Sequence, residues 1–274
     1  MALAEPLPEL DEILESVGEG GRRVAIIDAG EGAAGNISVC IGWPIEVRRR
    51  FPNAEPIELP VPAPHLAGHT VIVTGSGRRL RDLGANPAAN LGAVTIAPDG
   101  VAATLRTAPT RLFERLTSEW NSHLGVHDDA VARTSTNFHA VVHAQPPHLV
   151  YLSHLPGYRD EAHLNRRLLR WEPETIINLP SGIGVLPFLL PGSAALMDAN
   201  VRSLRAHRIV LWSKHGVMAR SDISVTRAVD RIEYAETAAR YEYMDQVNGE
   251  RAEGLTLEEM RAVVAAFGVE TSVV

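Results

Sequence analysis

Apolar residues fall in short blocks along this chain. Residues 24–27, Thr70–Thr74, 140–143, 175–179 and Ile209–Trp212 form runs of four or five, rich in β-branched side chains and followed by glycine or turn formers. Such runs predict buried strands. A different period marks the C-terminal part. Val225, Ala228, Val229, Ile232, Ala235 and Ala239 recur at i, i+3, i+4 spacing and predict an amphipathic helix, with Asp222 or Ser224 as its cap. Thr256 stands three residues before Glu259, and Gly268 follows, which predicts a second helix opened by a capping box. A weaker helical pattern covers residues 10–17, ahead of Gly18, Gly20 and Gly21, and another runs through 119–126. Strands in the middle with helices around them predict an α/β or α+β layered fold. Neither a repeat nor a low-complexity linker divides the chain, so residues 1–274 are expected to form a single domain.

Composition narrows the function classes. Hydrophobic residues make up 45% and charged residues 22%, enough for a packed core. Lys and Arg total 26 against 33 Asp and Glu, a net charge of -7, which lacks the broad positive field of a nucleic-acid binder. Arg48-Arg49-Arg50 and Arg166-Arg167 are short and read as solvated faces. The apolar runs are too short to span a bilayer. Residues 1–10 are acidic and proline-rich, without the features of a signal peptide, and the single cysteine, Cys40, allows no intrachain disulfide. A cytoplasmic protein with a buried thiol is expected.

Candidate chemistry lies where the runs end. His143 closes the run 140–143, and His215 follows Ile209–Trp212 and precedes Gly216. Two imidazoles at the mouths of buried strands can meet on one metal ion, or can simply cap strand ends. Thr117-Ser118-Glu119 opens a helical stretch. Its hydroxyls and free N–H groups suit an anion and its carboxylate suits proton transfer, although a plain N-cap at Thr117 or Ser118 explains it equally. Thr74-Gly75-Ser76-Gly77 runs from a strand into a glycine loop of the kind that presents backbone donors to phosphate, without the lysine of a Walker A loop. Gly35-Asn36-Ile37-Ser38 is a similar turn.

These stretches occur in a fixed order: Gly-Asn-Ile-Ser at 35–38, Thr-Gly-Ser-Gly at 74–77, Thr-Ser-Glu at 117–119 with His123 beyond, Ala-Val-Val-His at 140–143 and His-Gly-Val at 215–217. In that order they resemble the class II aldolase/adducin family. Asn86 to Gly92, Gly182 to Pro187 with Pro191-Gly192, and Leu211-Trp212 make the chain most similar to members acting on rhamnulose 1-phosphate. The resemblance, from about residue 35 onward, implies a mainly antiparallel sheet flanked by helix layers, assembled as a homotetramer with sites at subunit interfaces. It implies zinc held by His143, His215 and a third histidine, and a catalytic Glu119 assisted by Glu174, with Glu172 nearby. It also implies phosphate against Asn36, Ser76, Gly77, Thr117 and Ser118. Two departures stand out. Gln145 occupies the place of the family's second histidine, so Gln145 or His148 would complete the metal site, and Ala33-Ala34 replace Asn-Gly.

The expected reaction is aldol cleavage of a ketose 1-phosphate to dihydroxyacetone phosphate and an aldehyde, through an enediolate stabilised by a divalent metal. A Schiff base is not needed, in keeping with the scarcity of lysine, of which Lys214 beside His215 is the suggestive case. The alternatives are a dehydratase, epimerase or decarboxylase on the same fold, or a non-catalytic adducin-like protein with a degraded metal site.

Overall fold

The computed structural model describes residues 2–273. The helices are α1 (Leu10–Ile26), α2 (Pro87–Asn90), α3 (Trp120–Thr134), α4 (Pro147–Leu152), α5 (Glu161–Leu168), α6 (Pro173–Asn178), α7 (Ala194–Ala206), α8 (Val225–Val247) and α9 (Leu257–Phe267). The strands are β1 (Asn36–Ile41), β2 (Asn53–Glu58), β3 (Thr70–Thr74), β4 (Leu91–Ile96), β5 (Ala102–Thr107), β6 (Phe138–Ala144), β7 (Gly184–Leu186), β8 (Ile209–Trp212) and β9 (Gly216–Ser221). They form one sheet in the order β2-β5-β4-β3-β1-β6-β9-β8-β7. Every neighbouring pair is antiparallel except β7 and β8. The mainly antiparallel sheet between helix layers is therefore present.

The central strands are buried on both faces, as their unbroken apolar runs require. Alternation then decides what each face holds. On one side Ile37, Val39, Ala140, Val142, Val217 and Ala219 join the core beneath α1 and α8. On the other, Val141, Val210 and Met218 pack beneath α3 and α7. The same parity puts Asn36, Ser38, His139 and His143 on the α3 side. Asn36 and His143 are cross-strand partners in the β1–β6 register.

Two predicted strands are helical. Residues 24–27 belong to the end of α1, which continues from residue 10 to 26 through Gly18, Gly20 and Gly21. Its glycines are contact points. A Cβ on Gly21 would lie 2.3 Å from the carbonyl oxygen of Leu80, so helix and loop can touch only without one. Residues 175–179 lie mostly in α6, where Pro173 at the first helical position presets the turn and Thr175 and Ile176 face inward. A short apolar run does not by itself distinguish a buried helix from a buried strand. Ser224, rather than Asp222, caps α8, accepting from the N–H of Arg227 at 3.1 Å. The Thr256–Glu259 capping box forms at α9.

Gly21→Ala is expected to destabilise the protein by about 1–3 kcal/mol, the usual cost of overpacking. Denaturant unfolding measures it; wild-type stability would mean that α1 does not pack on Leu80.

Candidate metal centre and phosphate cleft

Glu119 is the N-cap residue of α3, yet its side chain makes no capping bond. The Thr117 hydroxyl accepts from the Glu119 N–H at 3.4 Å, ahead of the first helical residue, and the Glu119 carboxylate turns inward, almost fully buried. It lies 3.5 Å from His143 Nε2 through one oxygen and 3.5 Å from His215 Nε2 through the other. The donor atoms of Glu119, His143 and His215 all fall within 4.8 Å of one another.

Each imidazole has its own local support. His143, near the end of β6, has Nδ1 2.8 Å from the Val217 carbonyl, so Nδ1 carries a proton and the ring is oriented with Nε2 toward Glu119. The Trp212 indole stacks on it at 4.7 Å and is itself fixed by donating to Asn200 Oδ1 at 2.9 Å. His215 is presented by the tight β8–β9 turn, in which Lys214 adopts φ 64. Gly216 is required there, because a Cβ would meet the Ala144 carbonyl oxygen at 2.5 Å and the His143 ring at 2.9 Å.

Electrostatics favour an ionised Glu119 beside a neutral His215. Burial pushes the Glu119 pKa up. The attraction of His143, the Asn36 hydrogen bond, His215 and His123 together outweigh it, and the carboxyl sits below its ordinary value. Burial, and then repulsion from His143, push His215 down to about 4 against the pull of Glu119. At neutral pH Glu119 is ionised and His215 is a neutral nitrogen donor, the protonation state that a divalent cation needs of an imidazole.

Behind Glu119 lies a polar chain with a single consistent assignment of protons. Asn36 Nδ2 donates to Glu119 Oε2 at 2.7 Å, so Asn36 Oδ1 accepts from His123 Nε2. His123 Nδ1 must then accept from the Ser38 hydroxyl, 2.6 Å away. His127 Nε2, 2.7 Å from the same oxygen, donates to it. His127 Nδ1 therefore accepts from His139 Nδ1 at 2.8 Å, which leaves His139 Nε2 as a bare lone pair. Every donor in the chain points toward Glu119, so the bonds polarise one another in one direction. All three histidines are fully buried and neutral. Burial, then the repulsion that a second proton on neighbouring His127 would bring, hold His123 near 3, and burial first also depresses His127 and His139 strongly.

In front of Glu119 and His143 opens a cleft of about 130 Å³, lined also by Asn36, Ser76, Gly77, Thr117, Ser118, Ala33, Ala34 and Arg78. All five candidate phosphate residues thus border one space. The N–H groups of Gly77 and Ser118 meet no acceptor among the described residues. The Asn36 amide is committed to Glu119 and His123. Arg78 was not singled out from the sequence, although it follows the glycine loop directly. Its Nε is buried without a partner, a cationic donor beside the cleft.

Other candidates lie apart. Glu174 is exposed in the first turn of α6 and Glu172 flanks it; neither lines the cleft. His148 Nδ1 is held by Glu236 Oε1 at 2.6 Å. Gln145 follows β6, with its Cγ 3.2 Å from where a Cβ on Gly216 would stand, next to the His143 ring. Lys214 is exposed and is the chain's only lysine. Cys40 is buried, as expected. Among the described residues no helix is long and apolar enough to cross a membrane.

Comparison with known proteins follows the same lines. Residues 16–243 match the family described as class II aldolase and adducin N-terminal domain. The chain is 31% identical over 241 residues to the rhamnulose-1-phosphate aldolase of Bacteroides thetaiotaomicron, covering 86% of each chain. It is 31% identical over 219 residues to that of Escherichia fergusonii, covering 79% of each. Among solved structures, a sugar-phosphate aldolase from Thermotoga maritima matches with a TM-score of 0.74 at 26% identity, over 89% of this chain and 98% of that one.

The neutral histidine chain carries a pH signature. Unfolded histidine titrates near 6.5, whereas His123, His127 and His139 bind protons in the folded state only at much lower pH. Below about 6.5 the unfolded state therefore holds more protons, and stability falls as pH falls, by up to about 1.4 kcal/mol per pH unit per histidine. Unfolding free energy is expected to drop by several kcal/mol between pH 7.5 and 5; equal stability at both would contradict the neutral chain.

Proposed function

The chain belongs to the class II aldolase and adducin family and is a lyase of its aldolase type, and from that membership we propose that it cleaves a ketose 1-phosphate of the rhamnulose 1-phosphate kind to dihydroxyacetone phosphate and an aldehyde. The observation that carries the reading is the meeting of Glu119, His143 and His215 within 4.8 Å beside a cleft of phosphate-binding character.

The donor set fits a divalent cation. Two imidazole nitrogens facing a carboxylate suit zinc, and the Gln145 side chain, beside His143, is the proposed further ligand. Its neutral oxygen makes the site harder than three imidazoles would be, which favours exchange with manganese or cobalt. When bound, the cation supplies the Lewis acidity that stabilises negative charge on substrate oxygens as the C3–C4 bond breaks.

The remaining work falls to the chain. Arg78, the Ser76, Thr117 and Ser118 hydroxyls and the free N–H groups of Gly77 and Ser118 receive the phosphate. Asn36 serves by holding Glu119. Glu119 moves the proton at the carbon of the three-carbon fragment that was bonded to the aldehyde carbon, at an atom from which water is largely excluded. The aldehyde-side hydroxyl must lose its proton to another base. Glu174 suits this role if a neighbouring copy brings it to the cleft, as in a cytoplasmic homotetramer with intersubunit sites. Lys214, exposed and alone, has no desolvated environment to make it an imine-forming amine.

A dehydratase, epimerase or decarboxylase would use the same carboxylate and cation, and product analysis over a panel of phosphorylated ketoses separates these readings. Loss of the metal site, the adducin-like alternative, is disfavoured by the maintained support of His143, whose Nδ1 is held by Val217 and whose ring is stacked on Trp212.

Glu119→Gln is expected to retain the metal and lose turnover by about 10²–10⁴, as removal of an acid–base group does; near-normal turnover would end its assignment. Gln145→His is expected to tighten zinc and Gln145→Ala to weaken it. Metal content unchanged in both by elemental analysis would exclude Gln145 as a ligand.

A further inference from the structure

A second cavity, of about 620 Å³, lies among the end of α3, the end of α7 and β9. Five arginines line it: Arg133, Arg205, Arg208, Arg220 and Arg231. Three acids, Asp129, Asp222 and Glu270, also border it, which leaves a surplus of two positive charges on a chain whose net charge is -7. The acids are unevenly shared. Asp129 is 2.7 Å from Arg205 and 3.7 Å from Arg133, and Asp222 is 3.8 Å from Arg208. Arg220 and Arg231 have no carboxylate within 4.0 Å among the described residues.

Those two guanidinium groups are held by main chain instead. Arg220 Nε donates to the Leu204 carbonyl at 2.8 Å, and Arg231 Nη1 donates to the Arg220 carbonyl at 2.5 Å. Carbonyl anchors orient the forks but leave the charge uncompensated and the outer N–H groups free. Burial, and then the charge on Arg208, push both down to about 10, so the like charges already strain one another. A cluster of this kind repels itself unless an anion enters, and oriented guanidinium forks match a phosphoryl group in charge and shape.

We propose that this cavity is a binding site for the phosphoryl group of a small organic phosphate, separate from the cleft at Glu119. Arg220 and Arg231 grip the phosphoryl oxygens, and Arg208 and Arg133 add charge at the rim. The Val126 and Leu204 side chains and the Thr134 and Ser181 residues line room for a modest organic body. The volume is within the range of roughly 300–1,000 Å³ typical of small-molecule pockets. The two sites sit near opposite ends of α3, which begins beside Glu119 and carries Arg133 in its last turn, about 20 Å away at 1.5 Å per residue. An effector there would share one rigid helix with the reacting carboxylate.

Calorimetric titration of the full-length, metal-loaded protein with inorganic phosphate tests the proposal. Wild type is expected to bind two phosphates per chain, Arg231→Gln to lose or weaken one by roughly tenfold or more, and Arg78→Gln to lose the other. If wild type binds one phosphate, sensitive to Arg231→Gln and not to Arg78→Gln, the cleft assignment fails and this one stands. If Arg231→Gln does not fold, the half-exposed Arg133→Gln and Arg208→Gln are each expected to weaken the same site by roughly threefold, because each removes one rim charge. Binding that is abolished by Arg78→Gln alone, or left unchanged by substitutions at Arg231, Arg133 and Arg208, overturns the proposal.

Discussion

A buried carboxylate facing two imidazoles is the constraint around which this fold is organised. Left alone, Glu119 would be an uncompensated charge in a nearly dry interior, which costs several kcal/mol. Asn36 donates to it, and a cation held between it and the His143 and His215 nitrogens would supply the opposite charge. Those contacts come from four elements far apart in sequence: β1, the entry to α3, the end of β6 and the β8–β9 turn. The antiparallel register that makes Asn36 and His143 cross-strand partners is therefore as important to the site as the residues themselves.

The polar chain behind Glu119 extends that logic. Asn36 can donate to the carboxylate only if its own oxygen is satisfied, which assigns His123, Ser38, His127 and His139 in turn. The α3 face of the sheet thus carries a buried polar line where an ordinary core would be apolar. It fixes the orientation of one side chain at the cleft, and it holds three histidines in their neutral form.

Much of this was legible in the sequence, and the physics explains the boundary. The runs ending in His143 and before His215 are strands as expected, because β-branched apolar runs closed by turns have few other ways to be buried. The α8 and α9 helices follow their periodicity, and the Thr256 box forms as written. Residues 24–27 and 175–179 misled because local pattern cannot report partners: Leu80 makes the α1 glycines useful, and Pro173 starts a helix. Thr117-Ser118-Glu119 was correctly placed at a helix start, but that the Glu119 carboxylate turns inward instead of capping depends on Asn36, which donates to it from a distant strand. Arg78 sat one residue past the glycine loop and gave a signal only in hindsight. Ser38, His127, His139 and the arginine cavity depend on tertiary contacts that spacing does not carry.

Crystals of the purified, zinc-loaded protein, with diffraction recorded on both sides of the zinc absorption edge, test the central claim most directly. The account predicts one strong anomalous peak per chain within bonding distance of His143 Nε2 and His215 Nε2, at about 2.0–2.1 Å. Stoichiometric zinc located elsewhere, with those two imidazoles turned apart, would contradict it.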